Sequence, residues 1–403
     1  MRKRRIAMYS PGIVGLGHMR RHLLIAQALA SSPLELVILM IAEARQAGAF
    51  AMTPGLDCLI LPALREDQNK QIRPRYLDIS LADAVRLRAA TIRSAFEAFD
   101  PDVLIVDKLP RGAARELDST LEYLKRKGRT RCVLGLRDVL DEPGAVECDW
   151  SAARDAEAIR DYYDDIWVYG DPEIYDAVLE YQFPADVAAK VTYTGYLDQR
   201  PRLKFTDVGA DPLPGLKLPP GKLALCLVGG GQDGAALAEA FVRADLPEGF
   251  NGVLITGPFM PADAQKRVHE CAEDNPRLRV LDFLPEPAIL LSHADRVVAM
   301  GGYNTVCEVL SFEKQALIVP RVRPRSEQWI RAQRLRALGL IDVVHPDSLT
   351  SAAITAWLVA PDRKPPRARE HMDFDGLTRL PVLLEEVLAR PARSTSQTVK
   401  GSV

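Results

Sequence analysis

A few short stretches of this chain carry the residue types that acid–base and anion chemistry require. His18 closes the segment Gly12-x-x-Gly15-x-Gly17-His18, and Arg20 and Arg21 follow it. A histidine that opens a helix feels the positive end of the helix dipole. That lowers its pKa and favours the neutral ring, which can accept a proton. The two arginines suit an anionic group or simply face solvent. The run Gly229-Gly230-Gly231-Gln232-Asp233-Gly234 can present backbone N–H groups to an anion, and three consecutive glycines exceed what a tight turn needs. Gly301-Gly302, followed by Tyr303, Asn304 and Thr305, is a second glycine turn at a helix start, where free N–H groups suit a phosphate. Asn304 and Thr305 are the helix-capping residues on this reading. Thr305-x-x-Glu308 then has the form of a capping box, which makes Glu308 a structural carboxylate.

Two further groups belong with these. Asp107 ends the apolar run Asp102–Asp107 ahead of Lys108-Leu109-Pro110-Arg111-Gly112, where it either caps the turn or meets a ligand. Glu327, Gln328 and Arg331 open a helix beyond Pro324 and either reach the same cleft or face solvent. No Walker A lysine, HExxH, CxxC or GxSxG pattern is present. P-loop, HExxH-type zinc and nucleophile-elbow chemistry therefore lack support, and no metal or other cofactor is expected.

The elements that must position these residues alternate. Short apolar runs at Ile6–Tyr9, Val37–Ile41, Cys58–Leu61, Asp102–Asp107, Cys132–Leu136, Ile166–Tyr169 and Val191–Thr194 read as strands, with helical spacing from His18 and over Leu81–Phe99. Pro62–Ile79, dense in charge from Arg65 to Arg75, reads as one long loop. Prolines and glycines gather between Leu197 and Lys222, which places a linker there. The alternation then restarts with strands at Leu223–Val228, Gly252–Thr256, Arg279–Leu281, Arg296–Met300 and Ala316–Val319. This predicts an α/β protein of two Rossmann-like parallel domains, residues 1–198 and 222–360. A C-terminal helix within 373–390 packs back on the first domain, and a polar tail at 391–403 is disordered. In parallel sheets ligands bind at the carboxyl ends of strands, so the glycine loops and Asp107 point to a cleft between the domains.

With 403 residues, 47% hydrophobic, 26% charged and a formal net charge of -2, the chain has no general polyanion-binding character, and no nucleic-acid partner is expected. The cluster Arg2-Lys3-Arg4-Arg5 reads as a solvated terminus. Six scattered cysteines read as free thiols in a reducing compartment. The longest apolar run, Leu36–Ala42, is far short of the ~20 residues a membrane span needs. A cytoplasmic protein is expected.

Together these motifs resemble the GT-B glycosyltransferases of family 28, the group that contains the bacterial peptidoglycan lipid-intermediate N-acetylglucosaminyltransferase. Within it the chain looks most like a branch of predicted glycosyltransferases in which GHMRR, DKLPRG and EQWIRA stand together. Gly229–Ala235 resembles the family's GGSxGA loop, Ala294–Glu308 its donor-binding strand–loop–helix, and Pro324–Ala332 its PxxxQxxNA segment. The resemblance implies two domains facing a cleft and inverting, metal-independent transfer from a UDP-linked, UDP-N-acetylglucosamine-like donor. It implies that Glu308 binds the donor ribose, that the Gly302–Thr305 turn faces the diphosphate, that Gln328 contacts the sugar and that Phe283-Leu284 holds the uracil. Gly17 and the loop before it would approach the diphosphate, with His18 as the base. Arg21, Asp107, Arg111 and Arg331 would serve the acceptor or the diphosphate. The acceptor is a small molecule or is lipid-linked, the latter with peripheral membrane contact. Glu327 and Arg331 depart from the family pattern and bear on sugar identity. Thr194-Gly195-Tyr196-Leu197 resembles the interdomain turn without its arginine. Gly15–Arg21 also resembles the GxGHxxR segment of a UDP-sugar hydrolase, and a non-catalytic nucleotide-sugar-binding module is the third reading.

Overall fold

The structure is a computed structural model. It describes residues 2–11, 17–43, 50, 52–66, 71–205, 212–361 and 364–391. The expected glycine loop at 12–16 and the expected disordered tail beyond 391 lie outside the described residues.

Two parallel sheets organise the chain. The first is built from β1 (Arg4–Tyr9), β2 (Leu36–Ala42), β3 (Leu56–Ile60), β6 (Val103–Asp107), β7 (Arg131–Arg137), β8 (Asp165–Tyr169) and β9 (Val191–Tyr193). Its order is β3-β2-β1-β6-β7-β8-β9. Between β3 and β6 the short strands β4 (Leu64–Glu66) and β5 (Ile72–Pro74) pair antiparallel. The second sheet holds β10 (Lys222–Leu227), β11 (Phe250–Ile255), β12 (Leu278–Leu281), β13 (Arg296–Ala299), β14 (Gln315–Ile318) and β15 (Asp342–Val343), in the order β12-β11-β10-β13-β14-β15. The central strands are buried along their whole length, as in β6 and β13, which is why they read as continuous apolar runs rather than alternating ones.

In each sheet the chain steps outward one way from its first strand and then crosses back. The direction reverses between β1 and β6 and between β10 and β13. At such a switch point the two following loops diverge and leave a crevice outside the carboxyl ends. His18 and Asp107 sit at the first crevice, and the Gly229 and Gly301 loops at the second.

The structure revises three expectations. The 62–79 stretch is not one loop, because β4 and β5 form a hairpin in it and Leu64 is fully buried. The helix after Gly301 spans Tyr303–Ser311 with Gly302 as its N-cap and no side-chain cap bond, so Asn304 and Thr305 lie inside it and the capping box does not form. The linker contains a 3-10 turn at Arg200–Phe205, which proves important below. The last helix, Gly376–Ala389, buries Leu377, Leu380, Leu384 and Val387 and packs on helix Gly17–Ala30 of the first domain. It is tied there by Tyr196 N–H to Asp373 O (2.7 Å) and by Arg390 to Asp165 (2.5 Å). Cys132, Cys226 and Cys307 are buried free thiols, whereas Cys148 and Cys271 are exposed. No helix among the described residues is long and apolar enough to cross a membrane.

Candidate functional site

On the first domain, β6 ends at Asp107 and helix Gly17–Ala30 starts beside it. Asp107 is fully buried and gathers three side chains. His18 Nδ1 lies 2.9 Å from its Oδ2. Arg21 Nη2 donates to both carboxylate oxygens at 2.6 and 2.7 Å. His22 Nε2 lies 3.9 Å away. Arg21 Nη2 also lies 3.0 Å from Nδ1, but its shorter bonds go to both Asp107 oxygens. An ionised carboxylate only accepts, so the Nδ1 proton is assigned to the Asp107 bond and Nε2 is left as the acceptor. Burial alone would raise the Asp107 carboxyl, but Arg21, His18 and His22 outweigh it and hold it well below its ordinary range. Burial pushes His18 down to about 4 against the pull of Asp107, helped by Arg21 and Arg137. The ring is therefore neutral at physiological pH. His22, which sequence reading passed over, is equally low, at about 4, through burial. Its signal was its spacing, since positions 18, 21 and 22 share one helix face.

Across the crevice, β10 leads through Gly229–Gly234 to helix Ala235–Val242. Gly229 and Gly231 have φ of +65° and +88°. The N–H groups of Gly229, Gly230, Gln232 and Asp233 take no backbone acceptor among the described residues. A Cβ on Gly231 would stand 2.1 Å from Thr256 O. Gly231→Ala should therefore shift the loop and lower stability by ~1–3 kcal/mol, read as a lower apparent melting temperature together with weaker nucleotide binding. The neighbouring N-terminus at Gly302 is open, and a Cβ there would meet nothing within 4 Å. Asn304 Nδ2 donates to Gly17 O at 2.6 Å. This bond joins the start of helix Tyr303–Ser311 to the start of the His18 helix, so the two domains meet where both helix dipoles are positive.

Glu308 is buried and faces the linker. Its Oε1 accepts from Arg202, which also pairs with Glu286 at 2.9 Å. Arg202 lies five residues beyond the Thr194–Leu197 turn. Phe283 and Leu284 are half-buried just after β12, and Arg20 Nη2 donates to the next carbonyl, Pro285 O, at 2.6 Å. Gln328 Oε1 accepts from Arg321 N–H (3.0 Å) and Glu327 pairs with Arg321 (2.5 Å).

Three of the expected residues are engaged elsewhere. Arg331 is 1% exposed and binds Asp138 at 2.6 Å, with Gly301 O and Val139 O as further acceptors. It joins the domains and is not turned to the cleft. Tyr303 is buried beneath the guanidinium groups of Arg21 and Arg331. Arg111 forms a bidentate pair with Asp118 at 2.7 and 2.6 Å. Among the described residues no cluster of three or more His, Cys, Asp or Glu is placed to hold a metal ion.

Residues 224–374 match the glycosyltransferase family 28 C-terminal domain. A curated relative from Wigglesworthia glossinidia brevipalpis, a UDP-N-acetylglucosamine–N-acetylmuramyl-(pentapeptide) pyrophosphoryl-undecaprenol N-acetylglucosamine transferase, is 25% identical over 146 residues. That match covers 36% of this chain and 40% of the relative's length. Similar solved structures include the glycotransferase of kitacinnamycin (TM-score 0.61, 18% identity, 96% of this chain and 100% of that one). MurG of Acinetobacter baumannii (0.54, 14%, 95% and 99%) and a UDP-N-acetylglucosamine 2-epimerase (0.62, 13%, 98% and 99%) are also similar. At such identities the likeness is one of fold, the two-domain GT-B arrangement.

Proposed function

We propose that this GT-B chain, whose second half matches the family 28 C-terminal domain, transfers a sugar from a UDP-linked donor to an acceptor hydroxyl with inversion. The observation that carries the reading is the His18–Asp107 pair, with its free Nε2, set opposite two helix N-termini whose backbone donors are unpaired. His18 Nε2 takes the hydroxyl proton as the acceptor oxygen bonds to the anomeric carbon. The bond from that carbon to the diphosphate breaks on the far side, and the departing UDP carries the electron pair. The developing negative charge falls on the N–H groups of the Gly229–Asp233 loop and of Gly302–Thr305, which are fixed before reaction. Backbone donors and helix dipoles supply the stabilisation, so the mechanism needs no metal. Asp107 stabilises the imidazolium as it forms, while Arg21 keeps Asp107 ionised.

Glu308 is the ribose ligand on this reading, and Arg202 shares it. Glu308→Ala should weaken UDP binding by about 1.5–3 kcal/mol, measured by calorimetric titration. Unchanged affinity with a lower melting temperature would leave Glu308 only as the anchor of Arg202. A thermal-shift screen over nucleotide sugars tests the whole reading, since a ligand that binds only the folded chain stabilises it by mass action. The hydrolase reading differs only in placing water where the acceptor hydroxyl stands. Sustained UDP release from a UDP-sugar without acceptor would favour it.

A further inference from the structure

Two cations beside the His18–Asp107 pair have no counter-ion. Lys108 follows Asp107 at the end of β6, and Arg137 is the last residue of β7, the adjacent strand. Lys108 adopts φ +65° and its N–H bonds Gly135 O at 2.8 Å, so a non-glycine residue is held in the left-handed region at a crevice edge. No hydrogen bond or ion pair reaches Lys108 Nζ or the Arg137 guanidinium among the described residues, and Arg137 Nε is both buried and unpartnered. The more deeply buried arginines nearby are ion-paired, Arg21 with Asp107, Arg88 with Glu43 and Glu116, Arg202 with Glu286 and Glu308, Arg331 with Asp138, whereas Lys108 and Arg137 are partly exposed and form no ion pair among the described residues.

Glu327 faces these cations from the second domain. Lys108 and Arg137 act electrostatically on each other and on Glu327. Glu327 already pairs with Arg321 through Oε1, yet its Oε2 is buried without a partner. The next residue, Gln328, uses its Oε1 on Arg321 N–H, which leaves its amide donors for a ligand. The space between β6, β7 and the start of helix Glu327–Ala337 thus offers an unused acceptor beside unused donors. A sugar hydroxyl, which donates and accepts at once, satisfies both kinds of group. The charges do not balance, however. Arg321 also pairs with Asp233 at 3.1 Å, so three cations, Lys108, Arg137 and Arg321, face two carboxylates. Burial is the main reason that Lys108 is pushed down to about 7 and Arg137 to about 10; the arginines around each add to it, and Glu327 pulls both back up. Two like charges side by side at a crevice edge repel, and a ligand carboxylate offsets that repulsion through charge-assisted hydrogen bonds.

We propose that Lys108 and Arg137, with Glu327 and Gln328 opposite, form the pocket for the transferred sugar, and that this sugar carries a carboxylate, as a uronic acid does. The proposal rests on the transferase reading of the same cleft and narrows its donor.

The test compares calorimetric binding of UDP, UDP-glucose and UDP-glucuronic acid to the full chain. UDP-glucuronic acid should bind at least about tenfold more tightly than UDP-glucose, as one charge-assisted contact predicts. Lys108→Met and Arg137→Met should each reduce that ratio towards one while the affinity for UDP itself holds. Lys108→Arg should keep the preference. Removing an unpaired cation should leave the melting temperature equal or higher, so loss of binding by misfolding is visible separately. Equal or tighter binding of UDP-glucose, with UDP bound normally, overturns the acidic sugar and leaves the transferase reading standing. A parallel loss of UDP affinity in both methionine variants assigns the cations to the diphosphate and also overturns it. If neither UDP nor either sugar binds, the nucleotide-sugar reading itself fails, and this inference falls with it.

Discussion

His18→Ala is expected to lower turnover roughly a hundred- to ten-thousand-fold, the usual contribution of a positioned general base, while UDP affinity stays nearly unchanged. In the proposed mechanism Nε2 takes the acceptor proton and the other domain holds the nucleotide, so chemistry and binding should separate cleanly. Asp107→Asn should lose turnover on a similar scale for a different reason. The amide cannot neutralise Arg21 or steady the imidazolium, and a buried guanidinium is left without its counter-ion. The rate of UDP release and a UDP titration on the same preparations decide the matter, and an unchanged rate in His18→Ala would remove it as the base. The pH profile gives a second check. A base works only when deprotonated, and His18 is pushed down to about 4. The acid limb of kcat/KM should therefore fall near pH 4, not at the ordinary 6.5. His18 and His22 are both depressed in the folded chain, so between those values the unfolded chain binds more protons. Their contribution to stability is complete above pH 6.5 and is lost as pH falls towards 4. Melting temperature followed over that range should decline in the same direction.

Arg331→Met should be the most destabilising single change at the domain interface. It strands Asp138, which is 1% exposed, and breaking one partner of a buried pair typically costs about 3–5 kcal/mol. Asp138 Oδ1 and Oδ2 both bond this guanidinium, at 2.6 to 3.1 Å. Adding Asp138→Asn to Arg331→Met should restore a good part of the loss, because no charge is then left buried alone. Apparent melting temperatures of the two singles and the double measure the coupling. Equal losses that simply add would show that the pair is not a unit. The interface also contains Ser326 N–H to Asp141 (2.8 Å) and Arg325 to Asp149 (2.6 Å). Loss of the Arg331 bridge should therefore loosen the cleft before either domain unfolds, and nucleotide binding should weaken with it.

Particular residues show where sequence reading reached its limit. Glu308 sits three residues after Thr305, and by local rules that is a cap. Its carboxylate instead points to Arg202, 106 residues earlier, and no local pattern encodes a partner at that distance. Arg331 departs from a resemblance in a segment otherwise turned to the cleft, which suggested a ligand role. The structure shows its charge balanced by Asp138, 193 residues away. Lys108 stands within the DKLPRG segment and Arg137 in no motif, and nothing in the sequence singles out either residue. Their interest lies in the absence of a counter-ion, a property of three-dimensional neighbours rather than of spacing. The hairpin of β4 and β5 escaped because three-residue strands are too short for a period to register.

By itself the sequence determined the layered α/β class, the strands of both sheets except β15 and the hairpin, and the two glycine turns that leave backbone donors free. These follow from local chemistry: apolar runs bury, glycine permits the turns, and the first N–H groups of a helix have no internal partner. Only the tertiary structure decided which charges meet. It placed His18, Arg21 and His22 around Asp107 because the switch point between β1 and β6 brings two distant loops together. It gave Glu308 to Arg202 and Arg331 to Asp138, and left Lys108 and Arg137 unpaired. A charge takes its behaviour from whatever lies within a few ångströms once water is excluded, and those neighbours come from folding rather than from sequence proximity.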